Sequence, residues 1–253
     1  MGSPQPNPVN AAIEQEMEAI YRLYAALAPT MDPESGLGGK LLYAGEPEPS
    51  VCHLLRAANI AGAASLAASA HAPALHQAMR AGVIDFAVTT LGEALRILKN
   101  EIRKKQPVAV GVSLAPQAVE REMLDRGVQP DLLAPALPSS PQLAAFAALG
   151  ARRIQPQPLP PGHSFNILPI PPDLSRPAAA FDALLLDCLA PVDHLNRRWV
   201  RLAPRYLAPE ARRYRSVACA VDAASSSSSV PAKPRPSRRH QASALKRFRK
   251  APP

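Results

Sequence analysis

Apolar positions recur along this chain with two different spacings, and the spacing alternates from segment to segment. Residues 10–28 place apolar side chains three or four positions apart, which predicts a helix with Asn10 as its N-cap. From residue 39 to about 150, short apolar runs alternate with runs of helical spacing. That alternation is typical of a parallel sheet with right-handed crossover helices. The sequence therefore predicts an α/β fold with a doubly wound, mainly parallel, Rossmann-like sheet.

The clearest predicted helix follows the third strand-like run. Thr90 and Glu93 have the spacing of a capping box, in which each side chain accepts from the other residue's backbone. An apolar stripe then continues at helical spacing: Leu91, Leu95, Leu98 and Ile102. Three basic residues, 103–105, follow at the carboxyl end, where the helix dipole favours positive charge.

The segments around this core differ from it in composition. The chain has 30 prolines, and residues 152–177 are so rich in proline that they are predicted to run extended over the surface. Residues 222–253 are rich in Ser, Pro and basic side chains, a composition typical of disorder. The predicted organisation is a disordered start (1–9), a helical N-terminal arm (10–37), a Rossmann-like domain (38–150), a Pro-rich and helical extension (151–221) and a disordered basic tail (222–253).

The formal net charge of +9 belongs to the C-terminal part of the chain. Residues 231–253 carry eight Lys or Arg and no Asp or Glu, whereas residues 1–190 carry 14 basic and 17 acidic side chains. The slightly acidic core argues against a basic nucleic-acid-binding face on that core. The basic tail predicts weak, salt-dependent contact with polyanions.

Cysteine usage and hydropathy bear on the compartment. The three cysteines are far apart in sequence and form no CxxC pair, which suits a reducing compartment, and the predicted location is cytoplasmic. No secretory signal is evident at the N-terminus, and no apolar run approaches the roughly 18 to 20 residues of a membrane span. We therefore expect no membrane partner. His71 and His76 lie five positions apart without nearby carboxylates or thiols, so no metal site is predicted.

The turn after the first predicted strand is unusual for a nucleotide-binding fold. Gly45 is followed by Glu46-Pro47-Glu48-Pro49, where phosphate would require amide donors close to the backbone. Two prolines remove two donors, and two glutamates add negative charge. The remaining candidate cofactor-binding residues are Gly45 at the strand end, Ser50 and Val51 at the start of the helix, and Ser69 at the end of the second strand.

Four segments, taken in order, resemble the NAD-binding Rossmann domain of the urocanate hydratase (urocanase) family. They are "GGKLLYAG" (38–45), "NIAGAASLA" (59–67), "AGVIDFAVTTLGEALRILKNEIRKKQPVAVGV" (81–112) and "MLDRGVQPDLL" (123–133). The resemblance spans roughly residues 38–141. It implies NAD as cofactor and a lyase activity in histidine degradation, the hydration of urocanate, in which NAD⁺ acts as an electrophile.

The chain departs from that family at the positions that carry chemistry. The glycines of the family's phosphate turn are replaced by residues 46–49, and Ser69 stands where a Rossmann fold usually has an acidic residue for the ribose. Residues 134–141 lack the carboxylates and imidazole that the family has there, and the family's other core regions have no counterpart here. The resemblance therefore yields no catalytic residue, and the altered turn argues against NAD.

Three functions remain open from the sequence. The first is a reduced urocanase-type domain, non-catalytic or with an altered ligand, that serves as a binding or accessory protein. The second is an NAD-dependent urocanate hydratase completed by another chain. The third is a nucleic-acid-associated protein acting through the Arg-rich residues 195–250. A homo-oligomer or a protein partner fits the first two.

The remaining reactive side chains have simpler structural interpretations. Cys52 and His53 are adjacent in a helix and do not face each other, which favours a buried thiol beside a surface imidazole. Cys188 is predicted to pack in the core and Asp193 to cap a helix. In residues 196–215 the aromatic side chains are expected to cover the core, while the arginines meet water.

Overall fold

The computed structural model describes residues 8–156, 158–159, 161–170 and 177–220. The predicted basic tail (222–253) and residues 1–7 lie outside that part of the chain. The helices are α1 (Pro8–Leu27), α2 (Pro49–Ala61), α3 (Ala72–Arg80), α4 (Leu91–Arg103), α5 (Pro116–Asp125), α6 (Pro141–Ala148), α7 (Pro177–Cys188) and α8 (His194–Tyr206). The strands are β1 (Leu41–Gly45), β2 (Ala64–Ala68), β3 (Phe86–Val88), β4 (Val108–Val112), β5 (Leu132–Leu133), β6 (Arg152–Arg153), β7 (His163–Pro169) and β8 (Tyr214–Ala220).

Six strands form one parallel sheet in the order β3-β4-β2-β1-β5-β6. This confirms the predicted α/β, Rossmann-like class. The strand β6 was not predicted, because it consists of two arginines and follows no apolar run. The chain leaves β1 towards β2 on one side, and β5 lies on the other side of β1. In open α/β sheets ligands bind at such a switch point, outside the carboxyl ends of the strands.

The central strands are buried along their whole length. All five residues of β1, of β2 and of β4 are buried, as expected for parallel strands covered on both faces. Helix α4 contributes Leu91, Leu95 and Leu98 to the same core. Its capping box is confirmed: Glu93 N donates to Thr90 Oγ1 at 3.2 Å, and Thr90 N donates to a Glu93 carboxylate oxygen at 3.3 Å.

The N-terminal helix and the C-terminal extension belong to the same hydrophobic core. Helices α1 and α8 both pack against α2. Four aromatic rings meet there: Tyr21, Tyr24, Phe165 and Trp199, with the Trp199 ring 5.0 Å from that of Tyr21 and 5.3 Å from that of Tyr24. Offset and edge-on pairs of this kind add stability beyond the buried area. The predicted arm is therefore a structural part of the core.

Several local expectations are corrected. Part of the Pro-rich segment is not an unpaired surface strand: β7 pairs antiparallel with β8 along seven residues. Cys188, expected in the core, is exposed. The N-cap position of α2 is Glu48, whose side chain makes no capping bond, and Ser50 lies in the first turn of the helix. Asp193 caps α8 as predicted, accepting from Asn196 N at 3.0 Å. Helix α1 begins at Pro8, two residues before the predicted cap.

Candidate functional site

The crevice at the carboxyl ends of β1 and β5 is the place where this topology would hold a nucleotide. We call it the switch-point crevice; the turn 45–49 lies on one side and the loop 134–138 on the other. Gly45 has φ +75° and is the last residue of β1. Such a glycine lets a ligand approach the backbone closely, because no Cβ stands in the way.

The side chain of Leu137 occupies the space above Gly45. A Cβ added to Gly45 would lie 2.5 Å from Leu137 Cδ2, and Leu137 is only 9% exposed. Arg153 of β6 holds this loop in place, since its Nη1 donates to Leu137 O at 2.8 Å and to Pro135 O at 3.2 Å. Because Gly45 has no Cβ, the side chain of Leu137 can pack directly on its backbone.

The amino end of α2, where a phosphate would bind in this topology, retains two amide donors. Pro49 is the first residue of the helix, and the first helical bond runs from Cys52 N to Glu48 O at 2.8 Å. The amides of Ser50 and Val51 therefore have no acceptor within the helix. The amide of Glu48 is already bound to Glu46 O at 2.9 Å. Of the predicted residues, Ser50 and Val51 lie together at this helix end, beside Gly45.

Ser69 is committed to contacts within the protein. It is fully buried at the end of β2, and its hydroxyl donates to the Glu46 carboxylate. The same oxygen accepts from His71 N at 3.0 Å. The carboxylate near the end of β2 therefore belongs to Glu46, in the turn after β1. A bound dinucleotide would place its pyrophosphate on one side of this carboxylate and its ribose on the other.

Sequence reasoning missed a buried carboxyl group close to this crevice. Glu120 of α5 is 2% exposed and accepts from Tyr43 Oη and from Ser140 Oγ, both at 3.1 Å. Burial raises the pKa of Glu120, and the two hydroxyl donors oppose that shift only in part. In the sequence, the burial of Glu120 could have been indicated only by its position on the inner face of α5, next to Val119 and Met123.

Cys52 and His53 line a neighbouring cavity of about 370 Å³ between α1, α2 and α3. The Cys52 thiol donates to Pro47 O at 3.6 Å, and burial raises its pKa. His53 is half-buried, not the surface residue expected, and burial lowers its pKa. Burial thus favours the thiol form of Cys52 over the nucleophilic thiolate, and the thiol donates to Pro47 O.

Two of the three aspartates in the segments that carry the resemblance make structural contacts. Asp85 Oδ2 accepts from Ala109 N at the start of β4, at 2.8 Å. Asp131 Oδ2 accepts from Leu41 N at the start of β1, at 2.8 Å, and its other oxygen pairs with Lys40. Each carboxylate fixes the amino end of a neighbouring strand, at the edge of the sheet opposite to the crevice.

Three arginines of the C-terminal segment are engaged with the protein, and the expectation that they meet water is wrong for these three. Arg197 Nη1 donates to Leu186 O and Leu189 O. Arg198 Nε donates to Ile60 O at 3.0 Å, and Arg215, 5% exposed, pairs with Asp182. Trp199 is buried, as predicted. These contacts attach α8 and β8 to the rest of the protein.

Among the residues that the structure describes, no group of three or more His, Cys, Asp or Glu side chains could hold a metal ion. Among the same residues, no helix has the length and apolar character needed to cross a membrane.

The fold and the switch-point crevice define a Rossmann-like domain in which Leu137 packs on Gly45 at the crevice. Residues 54–139 match the family model described as the urocanase Rossmann-like domain. This part of the chain, about one third of its 253 residues, is thus a urocanase-family Rossmann-like domain. The match begins within α2, so it includes neither β1 nor the turn 45–49.

Proposed function

We propose that this chain is a binding or accessory protein built on a urocanase-type Rossmann-like domain. In this proposal it neither seats NAD in the switch-point crevice nor hydrates urocanate. The observation that carries the proposal is the packing of Leu137 on Gly45, at the point where a nucleotide would approach the backbone.

Two further features of the crevice argue against NAD. Pro47 and Pro49 supply no amide donors, which leaves Ser50 and Val51 as the donors of the first helical turn. Glu46 lies in the same turn, and a carboxylate about 4 Å from a phosphate oxygen costs on the order of 4 kcal/mol at an effective dielectric constant near 20. That cost is about half of the free energy of a micromolar complex, roughly 8 kcal/mol.

The loop beside the crevice also lacks a group for the hydration, and the nearby carboxyl group of Glu120 is buried and bound to Tyr43 and Ser140. Adding water to urocanate requires an acid or base that handles the proton. Residues 134–141 at the mouth of the crevice contain no titratable side chain. Ser140 is engaged as the N-cap of α6 and as a donor to Glu120.

Thermal unfolding of the full chain in the presence of NAD⁺ tests the proposal. A ligand present at about a hundredfold excess over its dissociation constant stabilises a protein by roughly 2.7 kcal/mol. We expect no rise in Tm up to millimolar NAD⁺, and no turnover of urocanate in the same samples. A saturable rise at sub-millimolar NAD⁺, or urocanate turnover that depends on NAD⁺, contradicts the proposal.

A further inference from the structure

A second cavity, of about 380 Å³, lies where the carboxyl ends of α3 and α8 approach α2. Its charged lining consists of four arginines and one carboxylate: Arg56, Arg80, Arg205, Arg212 and Glu210. We call this cavity the arginine pocket. The charged side chains of its lining give a net charge of +3.

Arg56 is the fixed part of the pocket. It is 6% exposed, and its two Nη atoms donate to Ala81 O, at 2.9 Å, and to Tyr206 O. These carbonyls lie at the carboxyl ends of α3 and α8, where helices leave acceptors unsatisfied. The buried guanidinium of Arg56 thus donates to one carbonyl at the end of each helix. A guanidinium has further N–H donors beyond these two.

The other three arginines have no such role. Arg80, Arg205 and Arg212 are exposed, and none has a carboxylate within ion-pair distance among the described residues. Arg205 lies over the ring of Tyr206, 5.4 Å from its centroid. Elsewhere exposed arginines do find partners, as Arg126 does with Glu122 at 2.5 Å.

The positive charges also act on one another. Burial lowers the pKa of Arg56, and the charge of Arg212 acts in the same direction, against Glu16 and Glu210. Guanidinium groups gathered around one cavity repel each other, and a bound anion relieves that repulsion. A favourable site for an anion is the consequence.

We infer that the arginine pocket binds a phosphate group, carried by pyrophosphate or by a small phosphate ester. The planar forks of several arginines match phosphate oxygens in bidentate geometry, and they favour a multivalent anion over a single carboxylate. The volume of the pocket suits a small molecule. This inference does not depend on the closed crevice, because it uses other residues and another ligand.

Isothermal titration of the full chain with pyrophosphate, and separately with phenyl phosphate, tests the inference. We expect saturable binding, weakened at least about tenfold by the double substitution Arg205→Gln and Arg212→Gln, since one charge-assisted contact is worth roughly tenfold or more. The matched control is Arg96→Gln with Arg121→Gln, which removes the same charge from exposed arginines on α4 and α5. The control is expected to change the dissociation constant less than about twofold. Binding of pyrophosphate alone identifies the free anion as ligand, and binding of both probes identifies the ester.

Two results overturn the inference. Equal weakening by both pairs of substitutions would assign the binding to general charge, including that of the basic tail. A failure to bind either probe at millimolar concentration would show that the arginine pocket is not a phosphate site. The arginine substitutions also separate this inference from the proposed function, because NAD⁺ bound in the switch-point crevice would not respond to them.

Discussion

Replacing Gly45 with alanine tests the contact that closes the crevice. Gly45 has φ +75°, and a left-handed backbone costs a residue with a Cβ about 1–2 kcal/mol. The new Cβ would also lie 2.5 Å from Leu137 Cδ2, and such crowding of a packed site costs about 1–3 kcal/mol more. We expect Gly45→Ala to lower the free energy of unfolding by about 2–5 kcal/mol in total.

Two companion variants separate these contributions. Gly82 has a similar φ of +66°, and a Cβ there would meet nothing within 4 Å, so Gly82→Ala measures the backbone cost alone. In the background of Leu137→Ala the crowding at Gly45 disappears. We therefore expect Gly45→Ala to cost about as much there as Gly82→Ala does in the original protein.

Urea unfolding followed by tryptophan fluorescence provides the measurement, because Trp199 is the one tryptophan of the chain and is 1% exposed. The expected coupling between Gly45→Ala and Leu137→Ala is about 1–3 kcal/mol. Additivity of the two substitutions to within about 0.5 kcal/mol would refute the packing of Leu137 on Gly45.

Three further predictions concern parts of the protein that hold the site in place. Burial raises the pKa of Glu120 above its usual 4.5, so the folded protein loses stability as the pH rises through the folded-state pKa. The difference in Tm between Glu120→Gln and the original protein should therefore grow in favour of the variant from pH 4.5 upward and then level off. A difference in Tm that does not change with pH would contradict this origin. Arg198→Lys keeps the charge but loses the guanidinium that donates to Ile60 O and Glu34 O. The free energy of unfolding in urea should fall by about 1.5–3 kcal/mol. An unchanged urea midpoint would show that these two hydrogen bonds do not contribute to stability. Thr90→Ala removes the capping box of α4 and should cost about 1 kcal/mol, seen as a fall in Tm of about 2–4 °C.

The sheet was predictable because its signals are local. The strand-like runs and the helices between them are each visible in a few adjacent residues, and the capping box at Thr90 and Glu93 needs only four positions. The two arginines of β6 gave no such signal, because the strand exists only through pairing with β5. The pairing of β7 with β8 likewise joins segments about fifty residues apart.

The sequence indicated where the candidate site would lie, but not which side chains would occupy it. The composition of the turn 46–49 indicated the loss of phosphate donors. It could not indicate what fills the space, because Leu137 and Gly45 are far apart in sequence and meet only in the folded protein. The contact between Ser69 and Glu46 is hidden for the same reason, since neither residue has a distinctive spacing from the other.

The positions that make this chain resemble the urocanase domain therefore perform a different task from those that would bind a nucleotide. Asp85 and Asp131 hold the amino ends of β4 and β1, so their presence follows from the sheet and needs no ligand. The nucleotide would lie at the opposite, carboxyl edge, where Leu137 and Glu46 now stand. The match to residues 54–139 includes Asp85 and Asp131 at the amino edge and Leu137 at the carboxyl edge, but it omits β1 and the turn 45–49. The match therefore records the fold, whereas the packing of Leu137 on Gly45, a residue outside the match, is what argues against NAD.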